Sequence, residues 1–386
     1  MGFVLPAQRP CDEKLLKQQN ERKKMKKLSV TFLTLGLTVG LLSGCGNTTV
    51  VQQSTPASQE AQAAASEETG NEPVSDAAGG EIAEGALKTG ISIVTTLEGE
   101  DASADADGSS TANISVVAVT VDEQGVIQDC AIDGIKATIN FSKEGKLVDV
   151  KESFASKNEL GEEYGMKAAS SVGKEWNEQA EALAQYAVGK TVEELKNGAV
   201  DESGKAKDAD LAASATMYIG SFVDQIEAAV NNAVHLGAAA GDEVVITQVS
   251  NAKNSKDAAE EDGLTQAYAT IAAMTLKDGT ITSMIIDGVQ ANVNFDAAGK
   301  ITSDLSAAVP TKNELGEGYG MKAASSIGKE WNEQAAAFCS YVTGRTIEEA
   351  TTMAVTEEGK AGDADLAASV TVSIGNFIEL IKKAAQ

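Results

Sequence analysis

Apolar and polar residues alternate along two stretches of this chain, and glycines interrupt the alternation at regular points. The alternation covers residues 114–121, 126–132, 137–141 and 147–150, and again residues 270–276, 281–286, 291–295 and Ile301. A period of two residues broken by glycine is typical of antiparallel strands joined by tight turns. Each stretch therefore predicts a meander of two hairpins.

The period changes in the residues that follow each meander. Apolar side chains recur every three or four residues in residues 172–187 and again in residues 327–342. This spacing places them on one face of a helix, with Trp176 and Trp331 on that apolar face.

Further helices are indicated by their capping signals. Two threonine–glutamate pairs have the spacing of capping boxes for a short second helix: Thr191 with Glu194, and Thr346 with Glu349. A last helix is expected at residues 221–232 and 376–385, with caps at Ser221 and Asn376. Strands followed by helices predict an α+β fold.

The two stretches belong to two copies of one sequence. Residues 157–180 recur at residues 312–335 with 22 identities in 24, and residues 208–214 recur unchanged at residues 363–369. The offset of 155 residues gives each copy enough chain for its own core. We therefore expect two tandem homologous domains, each an antiparallel sheet followed by two or three helices.

The N-terminal segment has the order of parts of a secretory signal. Four lysines between residues 23 and 27 precede an uncharged apolar run, residues 28–42, and Ser43-Gly44-Cys45 follows. The run is shorter than the roughly 20 residues that span a bilayer as a helix. We expect lipidation of Cys45, so that acyl chains anchor the mature chain to the extracytoplasmic face of the cell membrane. The alternative is an uncleaved transmembrane anchor.

These patterns divide the chain into four segments. They are a leader and lipoprotein signal peptide (1–44), a lipidated, disordered linker (45–87), the first repeat (88–234) and the second repeat (235–386). The linker is rich in Ala, Ser, Glu, Gln, Thr and Gly and has no apolar periodicity. It therefore buries too little apolar surface to offset the entropy of ordering.

Charge and residue usage exclude several classes of function. The formal net charge is −26, and loss of residues 1–44, with 8 basic and 3 acidic side chains, changes it to −31. Such a surface repels polyanions, which excludes nucleic acid as a partner. Cys130 and Cys339 lie at non-equivalent places in the repeats, which favours buried free thiols over a disulfide. His235, the one histidine, is expected to be solvated, and histidine-based catalytic or zinc sites within the repeats are excluded.

A repeated glycine-rich loop is the first candidate for chemistry. It runs through Tyr164 and Lys167, and its copy runs through Tyr319 and Lys322. The tyrosine has the shape to stack on a ring, and the lysine has the charge to meet a phosphate or carboxylate. The alternative is a structural loop with a packed tyrosine and a solvated lysine.

A second repeated segment runs from Asp210 to Thr216 and is copied from Asp365 to Thr371. Small residues separate the acid from the threonine, and the last helix follows. Taken alone, the segment also fits a buried turn in which the threonine satisfies a backbone group.

The order of these parts resembles the FMN-binding domain family of Gram-positive flavin lipoproteins and of the C and G subunits of the sodium-pumping NADH:quinone reductase and Rnf complexes. That family has a strand, an Asp-Gly turn such as Asp278-Gly279 here, a second strand, a glycine-rich loop and a helix. An Asp-x-x-Ser-Gly-Ala-Thr segment then precedes its last helix. The family's Ser and Gly are Ala213 and Ser214 in the first copy, and Ala368 and Ser369 in the second.

The resemblance implies that FMN is joined through a phosphoester to Thr216 and Thr371, with Asp210 and Asp365 in the same motif. A flavin transferase would add it outside the membrane. The function implied is electron transfer with a membrane oxidoreductase, in a carrier rather than a hydrolase or transferase.

The alternative from another class is a flavin-free surface lipoprotein that binds a small ligand or an envelope partner through the repeated loops. A hydrolase has little support, because no nucleophile–base pair or cluster of metal ligands recurs in both copies. The loop acids Glu159 and Glu162 do recur, but two carboxylates on a loop are more often solvated.

Overall fold

The computed structural model describes residues 85–385, and the first repeat begins with four strands. These are β1 (Ala86–Glu100), β2 (Gly108–Val121), β3 (Ile127–Phe141) and β4 (Leu147–Val148). The helices that follow are α1 (Lys157–Leu160), α2 (Trp176–Ala187), α3 (Val192–Ala199), α4 (Ala209–Ala212) and α5 (Gly220–Asn231). The expected signal peptide, the lipidation site Cys45 and the linker up to residue 84 lie outside the described residues.

The second repeat likewise has its strands first and its helices after them. Its strands are β5 (Val234–Ala239), β6 (Glu243–Asn251), β7 (Gly263–Lys277) and β8 (Thr280–Phe295). Its helices are α6 (Lys312–Leu315), α7 (Trp331–Val342), α8 (Ile347–Thr351), α9 (Ala364–Ala367) and α10 (Gly375–Lys383). In both repeats a 3-10 turn, Gly161–Tyr164 or Gly316–Tyr319, follows the first short helix.

All strand pairs within the two sheets are antiparallel. The first sheet has the order β4-β3-β2-β1-β5, and the second has the order β6-β7-β8. Helices follow the strands in each repeat, so the expected α+β class is confirmed.

Each sheet buries both of its faces. In β2, Val117, Val119 and Val121 pack against the helices of the first repeat. Ile114 and Val116 lie on the opposite face, in a core that the two sheets share. The second sheet is likewise covered by its own helices on its other face. The order of layers is therefore helices, sheet, sheet, helices.

Equivalent residues of the two repeats meet where the sheets pack. The rings of Phe141 and Phe295 stack with centroids 4.3 Å apart and planes 9° apart. The hydroxyls of Ser110 and Thr265, also equivalent, lie 2.6 Å apart. Contacts between equivalent residues are the mark of a twofold axis, here an approximate one within a single chain.

The hydrogen bonds around this axis are reciprocal. Two backbone bonds, both 2.8 Å, join Ala102 N–H to Gly299 and Ala258 N–H to Gly145. Two aspartates of equivalent loops accept the other pair, also at 2.8 Å: Asp257 from Leu147 N–H and Asp101 from Ile301 N–H. The two repeats thus bind each other through the same surface.

Strand β5 joins the second repeat to the sheet of the first. It pairs with β1, with His235 opposite Lys88. The backbone of β8 approaches it closely, because a Cβ on Gly237 would lie 2.4 Å from the Thr282 carbonyl oxygen. His235 was expected to be solvated, which is wrong: its Nε2 lies 2.7 Å from Glu123 Oε1 and its side chain is 21% exposed.

The second hairpin expected in each meander is present, because β4 pairs with the end of β3 across the Gly145 turn and Ile301 forms a bridge to Phe295. The break expected between residues 132 and 137, and between 286 and 291, is wrong, because β3 and β8 are continuous there. Asp133-Gly134 lies in the middle of β3. The buried Asp133 carboxylate accepts the Gly134 N–H at 2.7 Å. Glycine is needed here because a Cβ would lie 2.8 Å from the Ile114 carbonyl oxygen of β2.

The capping predictions have mixed outcomes. Both threonine–glutamate capping boxes are confirmed, at the starts of α3 and α8. The caps expected at Ser221 and Asn376 are wrong, because α5 and α10 begin one residue earlier and no side chain caps them. At α5 the Gly204 carbonyl accepts the N–H groups of Ile219 and Gly220 instead, at 2.9 and 3.0 Å.

Both cysteines of the described residues are free and buried, as expected. Burial raises the pKa of both thiols, that of Cys339 to about 12, so neither forms a thiolate near neutral pH.

The shared core predicts that the repeats unfold together. Phe141→Ala removes the stacked ring from a fully buried site, and we expect a loss of about 3–5 kcal/mol of unfolding free energy. Trp176 reports on the first repeat and Trp331 on the second, since the chain has two tryptophans. Phe141→Ala is therefore combined with Trp176→Phe or with Trp331→Phe, so that one tryptophan remains in each protein. Denaturation followed by fluorescence should show that Phe141→Ala lowers the unfolding midpoint by the same amount in both backgrounds.

The control is Val94→Ala, which truncates a side chain that is 42% exposed and should change the free energy by less than about 1 kcal/mol. A shift seen by Trp176 but not by Trp331 would mean that the repeats unfold independently.

Candidate functional site

A buried glutamine holds the candidate threonine of the first repeat. Gln179 lies on α2 and is 0% exposed. Its Oε1 accepts the N–H groups of Thr216 and Met217 at 2.8 and 3.0 Å, and lies 3.4 Å from Thr216 Oγ1. Its Nε2 donates to Ser170 Oγ and the Lys174 carbonyl at 3.1 and 3.0 Å. One side chain therefore joins the helix, the loop before it and the threonine segment.

The second repeat has the same arrangement around Gln334. Its Oε1 accepts the N–H groups of Thr371 and Val372 at 2.8 and 3.2 Å, and the Thr371 hydroxyl at 3.1 Å. Its Nε2 donates to Ser325 Oγ and the Lys329 carbonyl at 3.2 and 3.1 Å. Both threonines are half-buried.

A buried glutamate holds the glycine-rich loop to the start of the same helix. The Glu175 carboxylate, on a residue 3% exposed, accepts the N–H groups of Met166 and Lys167 at 2.8 and 3.0 Å. In the second repeat Glu330 makes both bonds at 2.9 Å, to Met321 and Lys322. The structure thus brings the loop and the threonine segment to the N-terminal turns of one helix, in both copies.

The side chains of the loop point to different surroundings. Tyr164 packs against Trp176, with ring centroids 6.4 Å apart, and burial raises the pKa of its hydroxyl. The side chain of Lys167 is 54% exposed, and its ammonium pairs with Glu162 at 3.3 Å. Lys322 pairs likewise with Glu317, at 2.9 Å. Exposed pairs of this kind contribute little to stability because water screens them, so an anionic ligand could replace the glutamate at small cost.

Asp210 and Asp365 are exposed and sit in the first turns of α4 and α9. Within residues 85–385, neither carboxylate accepts a hydrogen bond from the threonine of its segment. Asp208 caps α4 instead, through Oδ1, which accepts the N–H groups of Asp210 and Leu211 at 3.0 Å.

The residues before each threonine alternate between core and surface. Ala215 and Val370, which differ between the copies, are each 1% exposed and lie in the helical cores. Their side chains therefore fill the core. Ala213 is exposed and Ser214 is half-buried, and the same holds for Ala368 and Ser369.

In each repeat a buried aspartate binds the first short helix, α1 or α6. Asp287 Oδ1 accepts the N–H groups of Gly288 and Asn313 at 2.7 and 3.0 Å, which ties α6 to β8. Desolvation raises the pKa of Asp287 to about 6, although these bonds and one from Thr311 act against the shift. Burial also raises the pKa of Asp133, its counterpart.

The sequence reasoning did not single out Gln179, Glu175, Asp133 or their copies as parts of the site. The two members Glu175 and Gln179 lie within the block that is nearly identical between the repeats. The identity of this block between the repeats is the signal that could have identified them. Each makes several polar contacts that a different residue type would lose.

No family model, curated protein or solved structure matches this chain. Within residues 85–385, no group of three or more His, Cys, Asp or Glu side chains is placed to hold a metal ion. No helix in that range is long and apolar enough to cross a membrane.

Replacement of the buried glutamine should destabilise the site. Gln179→Leu leaves the Thr216 and Met217 N–H groups without their acceptor, and each orphaned group costs about 1–3 kcal/mol. We expect a loss of about 3 kcal/mol, measured by chemical denaturation. The control, Gln185→Leu, changes an exposed residue of the same helix and should stay within about 0.5 kcal/mol. Equal effects of the two variants would contradict the assigned role.

The buried aspartate predicts a pH-dependent stability. The pKa of Asp287 is about 6 in the folded chain and 3.8 for an ordinary aspartate, so the folded state binds more protons between these values. Stability then falls as pH rises from about 4 to about 6, by up to about 3 kcal/mol for this group. Asp287→Asn keeps an Oδ1 acceptor and loses the charge. It should therefore gain stability relative to the wild type as pH rises from 4 to 7.

Urea denaturation at both pH values measures this gain. Asp296→Asn, in an exposed turn, is the control and should not reproduce it. A difference between Asp287→Asn and the wild type that is the same at pH 4 and pH 7 would contradict the prediction.

Proposed function

We propose that this protein is an extracytoplasmic, lipid-anchored electron carrier that holds FMN on Thr216 and Thr371. The observation that carries the proposal is the matched placement of the two threonines. In each repeat the threonine is half-buried, and a buried glutamine that also binds the loop before the helix fixes the backbone on either side of it. The resemblance to flavin lipoproteins supplies the identity of the group.

The residues present fit a flavin phosphoester. Thr216 Oγ1 has a long contact of 3.4 Å to Gln179, so it is free to form a bond to phosphorus. Thr371 Oγ1 is bound more closely, at 3.1 Å to Gln334. Lys167 and Lys322 are exposed cations on the adjoining loops, and each can leave its glutamate for a phosphate.

The roles of the chain follow from these positions. When bound, FMN supplies reversible transfer of one or two electrons. Gln179 and Gln334 hold the two threonines in place, and Glu175 and Glu330 fix the loops that adjoin them. The anchor on Cys45 and the acidic surface would keep the protein soluble beside the membrane, within reach of a membrane oxidoreductase.

A flavin-free lipoprotein that binds a small ligand is the second candidate, because a cleft lies beside the loop of the second repeat. Its volume is about 380 Å³. It is lined by Gln290 and Asn292 of β8, by Lys312 and Leu315 of α6, and by Leu97 of β1.

The test is to produce the full chain in a host that contains a flavin transferase. We expect flavin fluorescence to stay with the denatured protein on a gel, and the intact mass to rise by up to two flavin mononucleotide groups. Thr216→Ala and Thr371→Ala should each remove one group, with greater initial occupancy at Thr216 because its hydroxyl is less tightly held.

Thr216→Ser and Thr371→Ser are the matched controls, because they keep a hydroxyl at each site. If the intact mass is unchanged and denaturation releases no flavin, the electron-carrier proposal fails and the ligand-binding candidate stands.

A further inference from the structure

A lysine at the start of α1 lies against two aromatic rings. Lys157 Nζ is 4.5 Å from the ring centroid of Trp176 and 5.3 Å from that of Tyr164. No described residue forms an ion pair or hydrogen bond with this ammonium group. The residue is half-buried, in contrast to its counterpart in the second repeat.

In the second repeat the equivalent lysine lies against three aromatic rings. Lys312 Nζ lies 4.6 Å from the ring centroid of Trp331 and 4.7 Å from those of Tyr319 and Tyr268. It also donates to the Tyr268 hydroxyl at 3.0 Å, and the residue is 5% exposed. This amine is enclosed and has a partner.

One position accounts for the difference. Tyr268 pairs with Gln290 across β7 and β8, and Asn113 pairs with Lys136 at the equivalent place across β2 and β3. Asparagine is shorter and has no ring, so the first repeat lacks both the third wall and the hydroxyl partner. The arrangement around Lys157 is therefore open on the side of Asn113.

Burial makes the amine of Lys157 easier to deprotonate than that of an exposed lysine, although the two rings stabilise its charged form. Burial lowers its pKa to about 8, Lys136 on β3 acts in the same direction, and Asp133 on β3 acts against it. Tyr164 is neutral near pH 7, because burial raises its pKa. A desolvated lysine amine is the type of nucleophile that proteins use to form imines with carbonyl compounds.

We propose that Lys157 is an imine-forming site for small aldehydes and ketones, and that Lys312 is its closed counterpart. The lone pair of the free amine attacks the carbonyl carbon and forms the C–N bond. The nitrogen gives up its two protons, the C–O bond breaks, and the oxygen leaves with two protons as water, which gives the imine. The faces of Trp176 and Tyr164 would stabilise the protonated imine as they now contact the ammonium. This reaction does not depend on bound flavin.

Limited reductive methylation of the full chain tests the proposal. The probe is formaldehyde at limiting concentration with cyanoborohydride at pH 7.0, and peptide mass mapping gives the rate at each lysine. At this pH about a tenth of an amine of pKa 8 is neutral, against roughly 0.04% for an ordinary lysine. Lower nucleophilicity and partial burial reduce this advantage, and we expect Lys157 to react about tenfold faster than exposed Lys136.

The rate should also respond to pH in a characteristic way. For Lys157 it should level off above about pH 8, where the amine is already neutral, while the rates of exposed lysines continue to rise. Equal rates at Lys157, Lys136 and Lys312 would overturn the proposal, as would a rate at Lys157 that rises with pH in parallel with the others.

Reciprocal variants test whether the third wall decides the reactivity. Asn113→Tyr should slow methylation of Lys157, and Tyr268→Asn should speed methylation of Lys312, each by about tenfold. Tyr268→Phe keeps the ring and removes the hydroxyl, so Lys312 should stay largely protected. Circular dichroism checks the fold of each variant. If Asn113→Tyr does not fold, Tyr268→Asn and Tyr268→Phe still test the role of the third ring. An unchanged rate of Lys312 methylation in folded Tyr268→Asn would refute that role.

Discussion

The stacking of Phe141 on Phe295 marks the constraint on which the rest of the fold depends. Each repeat forms a sheet with two apolar faces but supplies helices for one of them. The other face, with Ile114 and Val116, is buried only because the second copy presents the same kind of surface to it. An exposed apolar sheet of that size would favour aggregation. The duplicated chain therefore forms one compact unit across the described residues.

This packing also fixes the relation between the two candidate sites. The helices of each repeat lie on the outer side of its own sheet, so Thr216 and Thr371 belong to layers on opposite sides of the molecule. Two stacked sheets, with a spacing of roughly 10 Å, separate these layers. Flavins attached to the two threonines would not stack on each other. Each would instead meet its own partners at a separate surface.

Local signals predicted the elements that depend on nearby residues. The Asp278-Gly279 turn, in which both residues have positive φ, and the capping boxes of α3 and α8 need no distant partner. Strand β1 was not predicted, because its polar residues are buried against the other repeat. Thr89, for example, is 0% exposed, and its hydroxyl lies 2.7 Å from that of Ser283. Likewise the role of Gln179 depends on Thr216, 37 residues away.

The kind of contact that a residue makes also explains why residues 157–180 and 312–335 are nearly identical while the strands of the two repeats differ. In the nearly identical block, Glu175 and Gln179 each bind several backbone or side-chain groups within their own repeat, and few other residue types supply those donors and acceptors. The strands bury apolar side chains against one another, and such packing accepts exchanges of similar volume. Position 113 and its counterpart 268 lie on a strand face outside that block. They were therefore free to differ, and that difference leaves Lys157 open and Lys312 closed.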